Sequence, residues 1–205
     1  MDKGRRIKLV KKVIVSWSGG IDSTYVLYHL LKDTDYEVHA HHVKLLNRGS
    51  MMEKQLQAIK ILEPMLQKVR PFKYTESTQY LSMMGDSWIS LVDVIRIAYK
   101  EEYETMYVAV NKTENEIEGE RYNQSYEQCI SIEMLAASAY INNTYTNHKA
   151  TLSYFPTRGM TKEEIWNGLS KELQDNVWWC REPQGDEVCH ECPQCLDVKE
   201  IKQGR

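Results

Sequence analysis

The sequence lacks any run of about 18 apolar residues, so no membrane-spanning helix is expected. Its basic first residues, 1–12, are followed only by a short apolar stretch, 13–17, which is too short for the core of a signal peptide. Nor is there an excess of basic residues: 26 Lys and Arg stand against 29 Asp and Glu, for a net charge of -3. We therefore expect a cytoplasmic protein with no membrane association and no general, charge-driven binding of nucleic acid.

Two common nucleotide-binding motifs are absent as well. The chain has no Gly-x-x-x-x-Gly-Lys-Ser/Thr segment, which disfavours a kinase-type P-loop, and no Gly-x-Gly-x-x-Gly segment, which argues against a dinucleotide site. Internal repeats and low-complexity tracts are also lacking. The length of 205 residues suits one domain with at most a small appendage, and 42% hydrophobic residues suffice for an ordinary core.

Short apolar stretches alternate with segments of helical periodicity. Strands are predicted at residues 12–17, 37–43, 72–75, 106–110 and 150–155. Helices are predicted after Thr24, over residues 51–68, 87–103 and 128–141, and from Thr161, where Glu164 would complete a capping box. This alternation favours an α/β fold, a Rossmann-like parallel five-stranded sheet with helices on both faces. Two parts are predicted: an α/β domain over residues 1–175 and a small cysteine-rich C-terminal region over residues 176–205.

The segment Ser18-Gly19-Gly20-Ile21-Asp22-Ser23 separates the first predicted strand from the first predicted helix. Ligands commonly bind at this place in an open α/β sheet. Two glycines let the backbone approach a phosphate closely, and the helix that follows directs unpaired amides at the anion. The competing interpretation is an ordinary glycine-rich turn with Asp22 as N-cap; in a phosphate site Asp22 could cap the helix or help to hold magnesium. The predicted nucleotide contacts are Ser16, Ser18, Gly19, Gly20, Ile21, Asp22, Ser23 and Thr24.

Four of the five cysteines, Cys180, Cys189, Cys192 and Cys195, lie close together near the end of the chain. Two overlapping Cys-x2-Cys turns can bring three thiolates to one ion, and Cys180 can complete a tetrahedron. The spacing therefore predicts a zinc site, with a structural role because four protein ligands leave no open position. An iron–sulfur cluster would accept the same ligands, and four unliganded cysteines are the remaining alternative. His190 is expected to be a neighbour rather than a ligand.

Three histidines, His39, His41 and His42, lie on the second predicted strand. Because side chains alternate along a strand, His39 and His41 share one face and His42 takes the other. We therefore expect a solvated or core-edge role for them rather than a metal site. Trp178 and Trp179 are expected to pack the C-terminal region against the main domain.

The Ser-Gly-Gly-x-Asp-Ser segment resembles the PP-loop of the N-type ATP pyrophosphatases. Its combination with Cys-x8-Cys-x2-Cys-x2-Cys resembles the 7-cyano-7-deazaguanine (preQ0) synthase family of queuosine biosynthesis, over nearly the whole chain. The resemblance implies an adenine nucleotide alpha hydrolase-like fold that uses ATP, magnesium and zinc. It implies a C–N ligase that converts 7-carboxy-7-deazaguanine and ammonia to the 7-cyano base by adenylating first a carboxylate and then an amide. Lys162 matches the family's lysine before the last helix, so Asp22, Ser23 and Lys162 are implied as catalytic residues, and a homodimer is implied as the assembly.

Three segments that line the substrate side in this family differ here from its pattern. They are residues 43–49, 85–88 and 113–125. Two alternatives therefore stay open: a PP-loop ligase or amidotransferase that adenylates a different base or acid, and a non-catalytic nucleotide-binding homologue. A relative that transfers sulfur to tRNA is disfavoured, because no cysteine lies near the predicted loop and the net charge promises no basic face.

Overall fold

A computed structural model describes residues 10–80, 86–110, 131–134 and 151–204. The described ranges do not include the polar and charged segment 111–123, most of the predicted helix 128–141, the segment 113–125 or Cys129. A single turn of 3-10 helix spans Leu46–Arg48, and residues 131–134 are helical. No described helix combines the length and the apolar character that crossing a membrane requires. The remaining elements are β1 (Lys12–Ser16), α1 (Ile21–Asp33), β2 (Glu37–Leu45), α2 (Gly49–Val69), β3 (Lys73–Gln79), α3 (Asp86–Lys100), β4 (Thr105–Tyr107), β5 (Leu152–Tyr154), α4 (Lys162–Asn167), α5 (Lys171–Gln174) and α6 (Pro193–Gln203).

The five strands form one parallel sheet in the order β3-β2-β1-β4-β5. The chain moves outward from β1 to β2 and β3 and then returns to place β4 on the other side of β1. The topological switch point therefore lies between β1 and β4, where α/β proteins bind ligands at the carboxyl ends of the strands. The predicted fold class is confirmed.

Helices cover both faces of the sheet because β1 is apolar on both sides. Val13 and Val15 belong to the core that α1, α2 and the C-terminal helices build on one face. Ile14 points the other way and packs with α3 and with residues near β4. All three side chains are completely buried. A continuous apolar run is the pattern that a central parallel strand needs, since it has no solvent-facing side.

The ends of β3 and α3 differ from the predicted ends. The third strand was predicted over residues 72–75, but β3 extends to Gln79 through the polar sequence KYTESTQ. It is an edge strand of the described sheet, and its parallel pairing with β2 over seven residues specifies it where hydrophobicity does not. At the end of α3, Glu102 adopts a left-handed conformation (φ 57°), so this helix ends at Lys100 rather than at residue 103.

The three histidines of β2 are buried rather than solvated, with at most 2% exposure. On the α3 side, Thr75 of β3 stands between two of them, with its hydroxyl 2.6 Å from Nε2 of His39 and 2.7 Å from Nδ1 of His41. On the opposite face, His42 Nδ1 donates to the carbonyl of Trp17 at 3.1 Å. Burial lowers the pKa of all three, to about 4 for His39 and His42, so the rings are neutral near pH 7. The predicted separation of the histidines onto two faces is confirmed.

Candidate nucleotide and metal sites

Residues 18–23, which we call the glycine loop, leave the carboxyl end of the central strand β1 and enter α1. Gly19 has a positive φ of 71° and is packed against α2. A Cβ atom there would lie 2.9 Å from Cγ1 of Ile59 and 3.1 Å from the carbonyl oxygen of Gln55. Only glycine meets both the conformational and the steric demand at this position. The loop is thus held tightly against the body of the protein.

Hydroxyl groups close the glycine loop on itself. Ser23 Oγ accepts a hydrogen bond from the Ser18 amide at 3.1 Å, and the two serine hydroxyls are also 3.1 Å apart. Thr24 is completely buried, and its hydroxyl accepts from the indole of Trp17 at 3.1 Å. Thr24 therefore uses its hydroxyl inside the fold, whereas Ser18 remains half-buried at the mouth of the loop. Ser16 ends β1 directly beneath it, in register with His41 of β2.

Gly20, not Asp22, occupies the N-cap position of α1, and no side chain caps this helix. The first internal bond of the helix runs from the amide of Thr24 to the carbonyl of Gly20, at 3.0 Å. Asp22 lies in the first turn, where helix amides have no carbonyl four residues earlier to bind. The interpretation of Asp22 as an N-cap is therefore wrong. The helix begins with a positive end beside the loop, the arrangement that attracts phosphate.

The carboxylate of Asp22 is instead bound by Lys162, which lies 140 positions later in the chain. The Lys162 ammonium donates to both oxygens of Asp22, at 2.7 and 2.6 Å. The lysine side chain is 1% exposed, whereas that of Asp22 is 24% exposed. The pair therefore joins a deeply buried cation to an anion that still reaches solvent at the loop. Two of the three residues implied as catalytic are in direct contact, and the third, Ser23, is the next residue along α1.

Local signals in α4 explain how Lys162 reaches α1. Thr161 caps α4 and accepts from the amide of Glu164, whose carboxylate in turn accepts from the Thr161 amide at 2.8 Å, so the predicted capping box is confirmed. At the other end of the helix, Gly168 lies against Tyr25 of α1 so closely that a Cβ atom would overlap its ring. The two helices can therefore lie side by side, which brings Lys162 at the start of α4 to the start of α1.

The four cysteines of the C-terminal region converge, as their spacing predicted. All are buried, and their sulfur atoms lie within 4.8 Å of one another. The sulfurs of Cys189 and Cys195 are 3.9 Å apart, close to the edge of about 3.8 Å that follows from zinc–sulfur bonds of about 2.3 Å in a tetrahedron. Local turns bring the ligands together: Gly185 (φ 63°) allows the tight turn that returns the chain from Cys180 to Cys189. Cys192 caps α6, which carries Cys195 on its first turn.

Backbone amides donate hydrogen bonds to sulfur atoms of this four-cysteine group. The amide of Cys189 donates to the sulfur of Cys180 at 3.2 Å, and the amide of Cys192 donates to that of Cys189 at 3.3 Å. The amides of Glu191 and Cys192 lower the pKa of the Cys189 thiol to about 7, whereas burial raises the pKa of Cys180 and of Cys195. Buried thiols of high pKa become thiolates when a cation binds them, so the donor set fits a soft divalent ion such as zinc. His190 is exposed and stands outside the group.

Residues 176–204, which we call the metal-site region, contact the glycine loop through Trp178. Its amide donates to the carbonyl of Gly19 at 3.0 Å, and its backbone pairs with that of Gly20 in an isolated parallel bridge. The ring of Trp179 packs edge-on against Trp166 of α4, with 6.2 Å between centroids. The prediction that this tryptophan pair packs the C-terminal region against the domain is confirmed. Its backbone contact with the loop was not predicted, because no local pattern marks a carbonyl that pairs with a residue 159 positions away.

The predicted site residues thus fall into two groups that the fold joins. Lys162 contacts the glycine loop, and Trp178, which also touches it, lies two residues before Cys180, the first of the four cysteines. The predicted substrate segment 113–125 lies outside the described residues. Comparison of the chain with models of protein families and with curated proteins finds no match in either.

Proposed function

We propose that this chain is an ATP-dependent adenylating enzyme that holds the pyrophosphate of ATP at the glycine loop. Its proposed reaction converts 7-carboxy-7-deazaguanine and ammonia to 7-cyano-7-deazaguanine. The observation that carries the proposal is the bond between Lys162 and Asp22 at the start of α1, at distances of 2.7 and 2.6 Å. The family resemblance supplies the substrate, and the geometry of the loop supplies the reason to expect ATP.

The charge balance at the loop favours a phosphate ligand. An unpaired carboxylate at Asp22 would repel phosphate oxygens and oppose the positive end of α1. Because the Lys162 ammonium binds both carboxylate oxygens, the pair contributes no net charge, and the helix end and the loop amides dominate the local field. An ammonium also carries three donors, of which the two bonds to Asp22 use two. Magnesium is then expected to bind chiefly to phosphate oxygens, since both oxygens of Asp22 already accept hydrogen bonds.

The proposed chemistry consists of two adenylation cycles. In the first, a carboxylate oxygen of the substrate attacks the α-phosphorus of ATP, the bond to the bridging oxygen of the β-phosphate breaks, and pyrophosphate leaves. Ammonia then attacks the acyl carbon, AMP departs and a proton is lost, which gives the amide. In the second cycle the amide oxygen attacks the α-phosphorus of another ATP, pyrophosphate leaves again, and loss of AMP and of the two nitrogen-bound protons leaves the nitrile. Donors fixed at the loop would stabilise the charge that develops on the departing pyrophosphate.

Zinc has a structural part in this proposal. Four thiolates would fill its coordination shell, so the ion would cross-link the chain between Cys180 and Cys195 and take no part in the chemical steps. The chain's own contribution to catalysis is to bind and orient the nucleotide through Ser18, Ser23 and the amides of α1, and to hold the Lys162 ammonium beside them.

The test is incubation of the protein with ATP, magnesium, ammonium and 7-carboxy-7-deazaguanine, followed by mass spectrometry. The amide and then the nitrile are expected, together with AMP and pyrophosphate. Asp22→Asn and Lys162→Met should each lower the rate by about a hundredfold or more, the size of effect seen when a single preorganised electrostatic contact is removed. Asp33→Asn is the matched control, because Asp33 lies at the other end of α1 and its side chain is 53% exposed.

The products distinguish the remaining possibilities. Release of ADP and phosphate would contradict adenylation. Recovery of unchanged deazaguanine acid would contradict the specific substrate; AMP release with another acid would then support a ligase or amidotransferase of different specificity. Nucleotide binding without any cleavage, over a panel of candidate acids, would support a non-catalytic homologue.

A further inference from the structure

Only Trp179 separates Trp178, which touches the glycine loop, from the first cysteine of the metal site. The backbone of Trp178 approaches the loop so closely that a Cβ atom on Gly20 would lie 3.3 Å from its carbonyl oxygen. Trp178 also contacts the metal site, because its indole Nε1 donates to the carbonyl of Cys180 at 2.8 Å. The same residue therefore bonds to the loop through its backbone and to the metal-site backbone through its side chain.

Ring contacts also connect Trp178 to the helix that carries Cys195. Its ring is stacked on that of Trp179, with 6.4 Å between centroids. The Trp179 ring lies under the ammonium of Lys202, at 4.5 Å, and Lys202 belongs to α6, the helix that also carries Cys195. Trp178 is thus connected through Trp179 and Lys202 to α6. A cation bound by the four buried sulfur atoms would join Cys180, two residues after Trp178, to Cys195 on α6.

We propose that Trp178 is a positioning residue, through which binding of a metal ion by the four cysteines fixes the glycine loop in the conformation that binds nucleotide. The proposal rests on the proposed function only in placing the nucleotide at that loop. Because coupling between two binding sites is reciprocal, nucleotide must also strengthen metal binding, and by the same factor.

The full chain, loaded with zinc or treated with a chelator, provides the first test. The probe is α,β-methylene-ATP, which the enzyme cannot cleave between the α and β phosphates. We expect its affinity, measured by calorimetry, to be about tenfold or more weaker for the metal-free protein, and the amides of residues 18–24 to exchange hydrogen faster. Zinc transfer to a coloured chelator should be slower by a similar factor when the probe is present, a readout that does not depend on activity.

Two variants separate positioning from folding. Trp178→Pro removes the amide that donates to Gly19 and leaves all four cysteines in place. In its zinc-loaded form we expect about one zinc per chain, a fold unchanged by circular dichroism, and an affinity for the probe about tenfold lower, the effect of about one lost backbone hydrogen bond. Trp178→Phe loses the indole bond to the Cys180 carbonyl but keeps an aromatic ring and the amide that donates to Gly19, so in the zinc-loaded form its affinity should stay within about threefold of the original.

The outcomes also separate this proposal from the proposed function. If the zinc-loaded protein binds the probe and the metal-free protein binds it equally well, the coupling is refuted and the nucleotide site stands. If neither form binds the probe, the proposed function fails, and hydrogen exchange in residues 18–24 still decides whether the metal site fixes the loop. If removal of zinc unfolds the whole chain, the comparison of Trp178→Pro with Trp178→Phe decides, and equal affinities would refute the proposal.

Discussion

Lys162 and Asp22 allow a test of the site that does not require a known substrate. The buried ammonium donates to both carboxylate oxygens, but the two partners differ in exposure, at 1% for Lys162 and 24% for Asp22. Asp22→Ala would leave an ammonium inside the protein with no counter-ion. Lys162→Met would leave a carboxylate that water can reach, next to the favourable positive end of α1. We therefore expect the two single substitutions to differ in cost, although they break the same bond.

The magnitudes follow from the desolvation of each charge. Removing one partner of a buried ion pair typically costs about 3–5 kcal/mol, because the other charge is left uncompensated, and this is the loss expected for Asp22→Ala. For Lys162→Met the loss should be about 1–2 kcal/mol, since methionine retains most of the buried volume and the carboxylate keeps part of its hydration. In the double variant the ammonium is gone as well, so its cost should approach that of Lys162→Met alone. The coupling energy would then equal the loss for Asp22→Ala in size, about 3–5 kcal/mol.

Urea unfolding of the four proteins at pH 7, followed by far-UV circular dichroism, measures these differences. Asp33→Ala is the control, because the Asp33 carboxylate is 53% exposed in its contact with His29 and should contribute less than about 1 kcal/mol. A loss for Asp22→Ala no larger than that for Asp33→Ala would refute the reasoning. So would strictly additive losses in the double variant, since they would show that the two side chains do not interact.

Three further predictions concern the histidines, the glycine loop and the cysteines. Burial lowers the pKa of His39 and of His42 from 6.5 to about 4, so on acidification the unfolded chain binds protons before the folded protein does. The free energy of unfolding should therefore decrease as the pH is lowered from about 6.5 to 4, by up to about 3 kcal/mol per histidine. A urea midpoint that does not depend on pH would contradict this. Gly19→Ala should destabilise the fold by about 1–3 kcal/mol more than Gly185→Ala in thermal or urea unfolding, because both have positive φ (71° and 63°) but a Cβ atom at Gly185 meets nothing within 4 Å. Elemental analysis should find one zinc per chain, retained in Cys129→Ser and lost when any of the other four cysteines is changed, and equal zinc in all five variants would exclude the four-cysteine site.

Local patterns were enough to predict the framework of this fold. The apolar run of β1 specified a strand buried on both faces, and Thr161 with Glu164 specified the start of α4. The cysteine spacing predicted a cluster, because two residues between ligands make a turn that directs both sulfurs to one point. Each of these signals depends on atoms only a few residues apart, which is why the sequence reveals it. The nucleotide and its chemistry remain predictions from the resemblance.

Polar contacts between distant residues could not be predicted in this way. The histidines of β2 were expected to be solvated or at the core edge, because their alternation along the strand gives no metal site. They are buried because β3 places Thr75 between His39 and His41, and Tyr103, which follows α3, supplies a hydroxyl 2.8 Å from His39. The contacts with Thr75 depend on the register in which β2 pairs with β3, and the contact with Tyr103 depends on where α3 ends; the sequence of β2 alone encodes neither.

Asp22 shows most clearly what the sequence left open. Both roles considered for it, as an N-cap or as a magnesium ligand, assumed that the side chain acts within its own loop or on the ligand. Its actual partner depends on the approach of two helices, and that approach depends on Gly168, where any side chain would overlap Tyr25. The glycine beside Tyr25 thus sets how near Lys162 comes to Asp22, and so which charge a phosphate would meet at the start of α1. A motif names the residues of such a loop, but its electrostatics are decided by the packing of a helix 140 residues away.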